Sequence, residues 1–169
     1  RQGLIDELLD RSVDSSRYDA PGGPLEGDEY TILDTRTDQF DNARAKGNAE
    51  DALARYPDLD CMVGLFAYNT PACLEALSGA GKLGAVRVVA FDEDDATLQG
   101  ILDGVVHGTV VQNPYGYGFE SVRILAGLAR GDQSVLPAGG FLDVPARSIR
   151  KADARAFWDE LVRLTNPGK

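Results

Sequence analysis

The chain has 169 residues, 43% of them hydrophobic, which suits one domain with a core of its own. A formal charge of −10 and a pI near 4.5 argue against a nucleic-acid partner, whose phosphates an acidic surface repels. No apolar run is long enough to span a membrane, and the acidic residues are spread along the chain as on a solvated surface.

The chain opens on Arg1-Gln2-Gly3 inside a helical pattern (Leu4, Ile5, Leu8, Leu9) that ends near Arg11, with no cap and no signal peptide. It therefore reads as the later part of a longer chain. Residues 12–28 lack periodicity and are rich in Pro, Gly and Ser, which predicts a surface loop. Glu29 to Leu33 is a predicted strand ending at Asp34. A helix is predicted from Asp38 to Tyr56, with Ala43, Ala49, Ala52 and Leu53 inward and Pro57-Asp58 stopping it. Cys61 to Phe66 is the next strand. Thr70 is the predicted cap of a helix with Pro71 in its first turn, running to Ser78 and closed by Gly79 and Gly81. Cys61 and Cys73, in an apolar run and the following helix, read as two buried thiols rather than a disulfide.

The stretch from Val86 to Tyr117 organises the rest. Val86 to Phe91 is apolar and rich in β-branched residues, as a strand buried on both faces of a parallel sheet must be. It stops on Asp92. Thr97 to Leu102 has apolar residues at helical spacing, with Asp94 or Asp95 as N-cap and Gly104 as terminator. A second strand, Val105 to Val111, ends on Gln112, and Asn113-Pro114 forbids its continuation. Strands joined through a helix run parallel, so Asp92 and Gln112 emerge at the same sheet edge, where open parallel sheets bind ligands. Pro114 begins a helix containing Phe119 to Leu128, Phe141 to Val144 is a candidate strand, and Asp153 to Leu164 is a last amphipathic helix with Trp158. Alternating strands and helices give the class as α/β with a parallel sheet.

Sheet topology gathers the loops 34–40, 66–70, 92–95 and 112–117 at one edge. They carry Asp34, Arg36, Phe40, Phe66, Tyr68, Asn69, Asp92, Gln112, Asn113, Tyr115 and Tyr117. Carboxylates and amides take paired hydrogen bonds from adjacent hydroxyls, and aromatic faces cover the C–H face of a pyranose, so the mixture suits a sugar. The competing reading makes Asp92 and Asn69 caps and the aromatics core. Catalytic readings fare poorly. His107 is the only histidine and lies within a strand, and serine-nucleophile signatures are absent. Ala80-Gly81-Lys82-Leu83 lacks the first glycine and the metal-binding hydroxyl of a phosphate loop. Asp92-Glu93-Asp94-Asp95 lacks the alternating ligand spacing of a calcium loop.

These residues resemble the periplasmic sugar-binding proteins of the ribose-binding type, the solute receptors of ABC transporters. The resemblance runs through RQGLIDELL, YTILDTRTDQFDNARAKGNAEDALARYPDLDCMVGL, VVAFDEDDATLQGILDG and TVVQNPYGYGFESVRILAGLARG. It implies a two-lobed clamp whose lobes are parallel-sheet three-layer sandwiches of the periplasmic-binding-protein type I. Residues 1–112 would be most of the C-terminal sugar-binding lobe without its first strand. Residues 113–169 would be the hinge crossing and segments packed on the N-terminal lobe. The implied ligand is a monosaccharide or related small polyol, bound without catalysis, metal or cofactor by Phe40, Phe66, Tyr68, Asn69, Asp92 and Gln112. Asp92 takes the place of the family's sugar-binding aspartate and Gln112 that of its hinge glutamine.

The implied partner is an ABC transporter permease, and the implied location periplasmic or exported. A lobe on its own is expected to fold its uncovered helix back on itself, to form a homodimer by exchanging it, or to come from a parent whose other part was cut and stays associated. Phe66 departs from the family, many members of which have asparagine there, so stacking would replace a hydroxyl contact with Tyr68 or Asn69 in compensation. The family's binding arginine would lie just before Arg1. An alternative is the effector domain of a lactose-repressor-type regulator. Such regulators carry a Pro-Leu-Thr-Thr-Val-like run where this chain reads His107-Gly108-Thr109-Val110-Val111. A binding module of a sensor kinase is a further alternative, and an enzyme on a doubly wound sheet a distant one.

Overall fold

The computed structural model describes residues 1–165. Helix α1 (Gln2–Leu8) buries Ile5 and Asp6. The loop after it is tied down by ion pairs: Arg17 reaches the buried Asp6 at 2.8 Å and Arg11 reaches Asp19 at 2.9 Å. The Arg17 bond outweighs burial and holds the Asp6 carboxyl below its ordinary value. The predicted strand at 29–33 shrinks to β2 (Thr31–Ile32), which pairs antiparallel with β1 (Leu25–Glu26) outside the main sheet. A local partner wins here, since Gly27 turns the chain back and its N–H donates to the Tyr30 carbonyl at 2.9 Å.

Helix α2 (Asn42–Arg55) starts later than the pattern predicted, because the Asp41 carboxylate accepts the Arg44 N–H at 2.8 Å and caps it there. Its buried face is Ala45, Ala49 and Leu53, with Ala43 left outside. The late start keeps residues 38–40 free as loop.

From there strands and helices alternate in the predicted order, β3 (Cys61–Val63), α3 (Asn69–Gly79), β4 (Arg87–Phe91), α4 (Asp95–Asp103) and β5 (Val106–Val111), but β3 ends at Val63 rather than Phe66, and Thr70 lies buried inside α3 instead of capping it. The three strands are parallel neighbours, with Met62 opposite Val88 and Ala90 opposite Thr109. Val88, Ala90, Leu77, Leu98 and Ile101 are wholly buried and form the centre of the core. Each such Leu, Ile or Val contributes roughly 1.5–3 kcal/mol through burial. Helix α2 packs on α3 and α3 on α4, making one helical layer. Gly100 lets α4 approach β5, since a Cβ there would lie 2.8 Å from a Val106 methyl. On the other face of β4, Arg87 is exposed and Val89 and Phe91 half-buried.

Helix α5 (Pro114–Ala129) is capped by Asn113, whose side chain accepts the Gly116 N–H at 2.9 Å, with Pro114 in the first turn. Gly127 is its one buried residue, covered by Val135 from a 3-10 turn at Gln133–Val135. Tyr115, Phe119, Val122 and Leu125 are exposed. Their apolar stripe faces solvent.

The strand predicted at 141–144 forms instead at β6 (Arg147–Ile149), antiparallel to β5 with Ile149 opposite Thr109. Pro145 explains the shift, since it cannot donate to a ladder, whereas Ile149 finds cover and is 4% exposed. Helix α6 (Lys151–Thr165) then packs on α4, burying Ala154 and Phe157, and the Trp158 indole donates to Asp95 at 3.0 Å. Within the segment 113–169, β6 thus joins this sheet and α6 its helices. Residues 166–169, at the end of that segment, lie outside the described residues. Neither cysteine is paired. Cys61 is exposed, contrary to expectation, because it begins an edge strand, while burial pushes the Cys73 thiol up to about 11. Among the described residues no helix is long and apolar enough to cross a membrane.

Candidate functional site

Because β3, β4 and β5 are parallel, their carboxyl ends share one edge. At the end of β4 the chain turns through Asp92 with φ 64°. Strand β5 holds that turn from both sides: the Asp92 N–H donates to the Val110 carbonyl at 2.8 Å, and the Thr109 hydroxyl donates to the Asp92 carbonyl at 2.7 Å. Thus fixed, the Asp92 carboxylate accepts the Gln112 amide at 3.2 Å. The acid and the amide expected at this edge meet there.

The rest of the acidic run is divided among other tasks. Asp94 caps α4 by accepting the Ala96 N–H at 2.8 Å, and Asp95 takes the Trp158 indole. Burial, and then the Asp92 charge beside it, push the Glu93 carboxyl above its ordinary value.

A second cluster forms where residues 38–40 meet the loop after β3. The Phe40 and Phe66 rings lie 5.7 Å apart, tilted at 59°, and Phe66 stacks on Tyr68 at 6.0 Å and 7°. Phe40 is 78% and Phe66 47% exposed, so their faces are open to a ligand. Asp38 ties the two loops together. Its carboxylate accepts the Tyr68 hydroxyl at 2.7 Å, the Asn69 amide at 2.8 Å and the Phe40 N–H at 3.0 Å. The Asn69 carbonyl in turn accepts the Phe66 N–H at 3.1 Å. Burial works against the charged form of Asp38, yet these three bonds prevail and hold its carboxyl below the ordinary value. The same contact raises the Tyr68 phenol.

Backbone strain gathers here too. Among the described residues four other than glycine have positive φ, and three of them, Gln39 (56°), Phe40 (61°) and Asp92 (64°), belong to this edge. Strained backbone of that kind clusters at binding and catalytic sites.

The structure thus places Phe40, Phe66, Tyr68 and Asn69 in one cluster and Asp92 with Gln112 in another along the same edge. Other candidates lie elsewhere or are occupied. Tyr115 belongs to α5, where it stacks on Phe119 at 6.2 Å, and Asn113 is a cap. Asp34 is paired with Arg36 at 3.1 Å. His107 is exposed near the start of β5, at the opposite end from the site. Asp38 escaped the sequence reading because its partners lie some thirty residues downstream. Its one local trace is the bond to the N–H two residues on, a turn that Asp makes in many loops.

The sequence profile of the periplasmic binding protein domain matches residues 6–133. The chain belongs to the periplasmic binding protein family. No curated protein matches it. An Agrobacterium vitis ABC transporter solute-binding protein solved with bound D-fucose is similar at 25% identity and TM-score 0.63, over 72% of this chain and 41% of that one. A second protein of that organism, solved with α-D-tagatopyranose, shows 22% identity and TM-score 0.66 over 74% and 41%. GanP, a glucose-galactose-binding protein of Geobacillus stearothermophilus, shows 22% and 0.62 over 69% and 40%. This periplasmic binding protein chain therefore spans about two fifths of the length of these structures. Its fold is the α/β lobe with a parallel-dominated sheet that the family's type I members share.

Proposed function

We propose that this chain is the sugar-binding lobe of a solute receptor serving an ABC importer, which takes up a monosaccharide or related small polyol without altering it. One observation carries the reading: a hydrogen-bonding pair, Asp92 and Gln112, and a set of open aromatic faces, Phe40 and Phe66, share one sheet edge. The pair answers ring hydroxyls and the faces answer a ring's C–H side. Tyr68 and Asn69 complete the set of contact residues. The solved relatives with bound D-fucose and tagatopyranose support the transporter reading over the regulator one. Family membership supports a periplasmic or exported location and a permease as partner.

The test is to follow melting temperature and product formation while the protein is offered pentoses, hexoses and cyclitols. A rise in melting temperature with the sugar recovered intact supports a receptor. Chemical turnover of any of them rules it out. We further propose that the 169-residue chain by itself homodimerises through the open stripe of α5.

A further inference from the structure

We infer that Asp38 is the positioning residue of this site: it locks the two aromatic loops together and orients Tyr68 and Asn69, so that the wall presents its ring faces to the ligand. The inference deepens the sugar-binding reading and rests on it. The geometry is specific. One carboxylate oxygen takes the Tyr68 hydroxyl at 2.7 Å and the Phe40 N–H at 3.0 Å, and the other takes the Asn69 amide at 2.8 Å. With the opposite end of Asn69 accepting the Phe66 N–H at 3.1 Å, a chain of bonds runs from Asp38 to the backbone of all three ring-bearing positions or their neighbours.

Two consequences follow for the ligand. The Tyr68 proton points at Asp38, and Asn69 gives one N–H to Asp38 and takes the Phe66 N–H on its carbonyl, so the Asp38 network fixes how both side chains face the ligand. Asp92 and Gln112 supply hydroxyl recognition, while Phe40, Phe66 and Tyr68 form an aromatic surface whose arrangement Asp38 sets. Because Asp38 holds Phe40 at φ 61° through its N–H, it also bears on the strained backbone that aims that ring.

Asparagine at 38 makes a discriminating variant. Its carbonyl can still accept from Tyr68, but its NH₂ would face the Asn69 NH₂, donor against donor. Asp38→Asn therefore keeps part of the function and Asp38→Ala loses it. The experiment compares wild type, Asp38→Asn, Asp38→Ala and Tyr68→Phe by three measurements on the full chain. Calorimetric titration uses D-galactose and D-fucose, which differ only in the hydroxyl at C6. Near-ultraviolet circular dichroism reads the Phe66–Tyr68 stack. Spectrophotometric titration of the phenols, with Tyr68→Phe subtracted, isolates Tyr68 from the other five tyrosines.

Asp38→Ala should weaken the better-bound sugar by roughly tenfold, the scale of one or two lost hydrogen bonds. It should also shrink the aromatic dichroism band and move the Tyr68 titration down. Asp38→Asn should fall between. Asp38→Ala with wild-type affinity, or with an unmoved Tyr68 titration, overturns the inference. If the wild type binds neither sugar nor any of the wider panel, the sugar reading fails. The Tyr68 titration and the dichroism band still decide whether Asp38 positions the wall: a shift upholds it and no change overturns it.

Discussion

Asp92 is held by β5 through its backbone, which leaves its carboxylate free for Gln112 and a ligand. Asp92→Ala should therefore cost sugar affinity on the order of 2–4 kcal/mol, by stranding the partners of charge-assisted bonds, while the chain still folds. Calorimetric titration beside a melting curve checks both halves of that statement. Gln39 offers the converse test. It is exposed and strained at φ 56°, with no ring to lose. Gln39→Gly should stabilise the protein by about 0.5–1 kcal/mol in a urea titration and leave sugar affinity intact. Glu93 has its carboxyl raised above the usual 4.5 by burial and then by Asp92. A raised carboxyl favours the folded state most below the unfolded value, and that advantage is lost as pH rises through the folded one. At neutral pH Glu93 is thus a penalty, reduced by its partial exposure. Glu93→Gln should raise the melting temperature at pH 7 by ~1–2 °C and change nothing below pH 4. The placement of Asp92, Gln112, Phe40 and Phe66 at this edge was legible in the sequence, because strand ends in a parallel sheet fall at one edge. Asp38 and the strain at Gln39 were not, since each depends on contacts that no local pattern records.

Strands β3 to β5 and the helices between them could be read directly, because each carries a periodic apolar face bounded by Gly, Pro or Asp. The misread elements share a cause. Residues 29–33 have the composition of a strand, but pairing is a property of two segments, and the nearer partner at 25–26 prevailed. The helix expected from Asp38 begins at Asn42, because Asp41 caps it through the Arg44 N–H. At the other end, 141–144 and 147–149 are equally strand-like until Pro145 and the cover over Ile149 are weighed. If β6 belongs to this sheet, Ile149→Ala should cost about 2–4 kcal/mol in urea unfolding, as truncation in a shared core does. A strand lying loosely on the surface would lose less than ~0.5 kcal/mol.

The molecule buries one face of its sheet under α2, α3, α4 and α6, yet leaves the α5 stripe of Tyr115, Phe119, Val122 and Leu125 open. Burying side chains of that size is worth roughly 1.5–3 kcal/mol each, so the 169-residue chain should self-associate as concentration rises. Light scattering should report a dimer, and Val122→Glu with Leu125→Lys should return it to a monomer with an unchanged melting temperature. A monomer before the substitutions would show that the stripe tolerates water.

The ladder between β5 and β6 has one more consequence. Val111 and Arg147 sit opposite each other, so everything between them leaves the sheet and rejoins it at neighbouring points. That excursion, α5 included, is topologically a hairpin loop of unusual bulk. Such a loop can be shortened, exchanged or doubled while the strand order stays as it is, because the sheet's connectivity depends only on where its two ends are anchored. Replacing residues 112–146 with a two-residue turn would remove Gln112 and the open stripe together while keeping the strand order β3-β4-β5-β6.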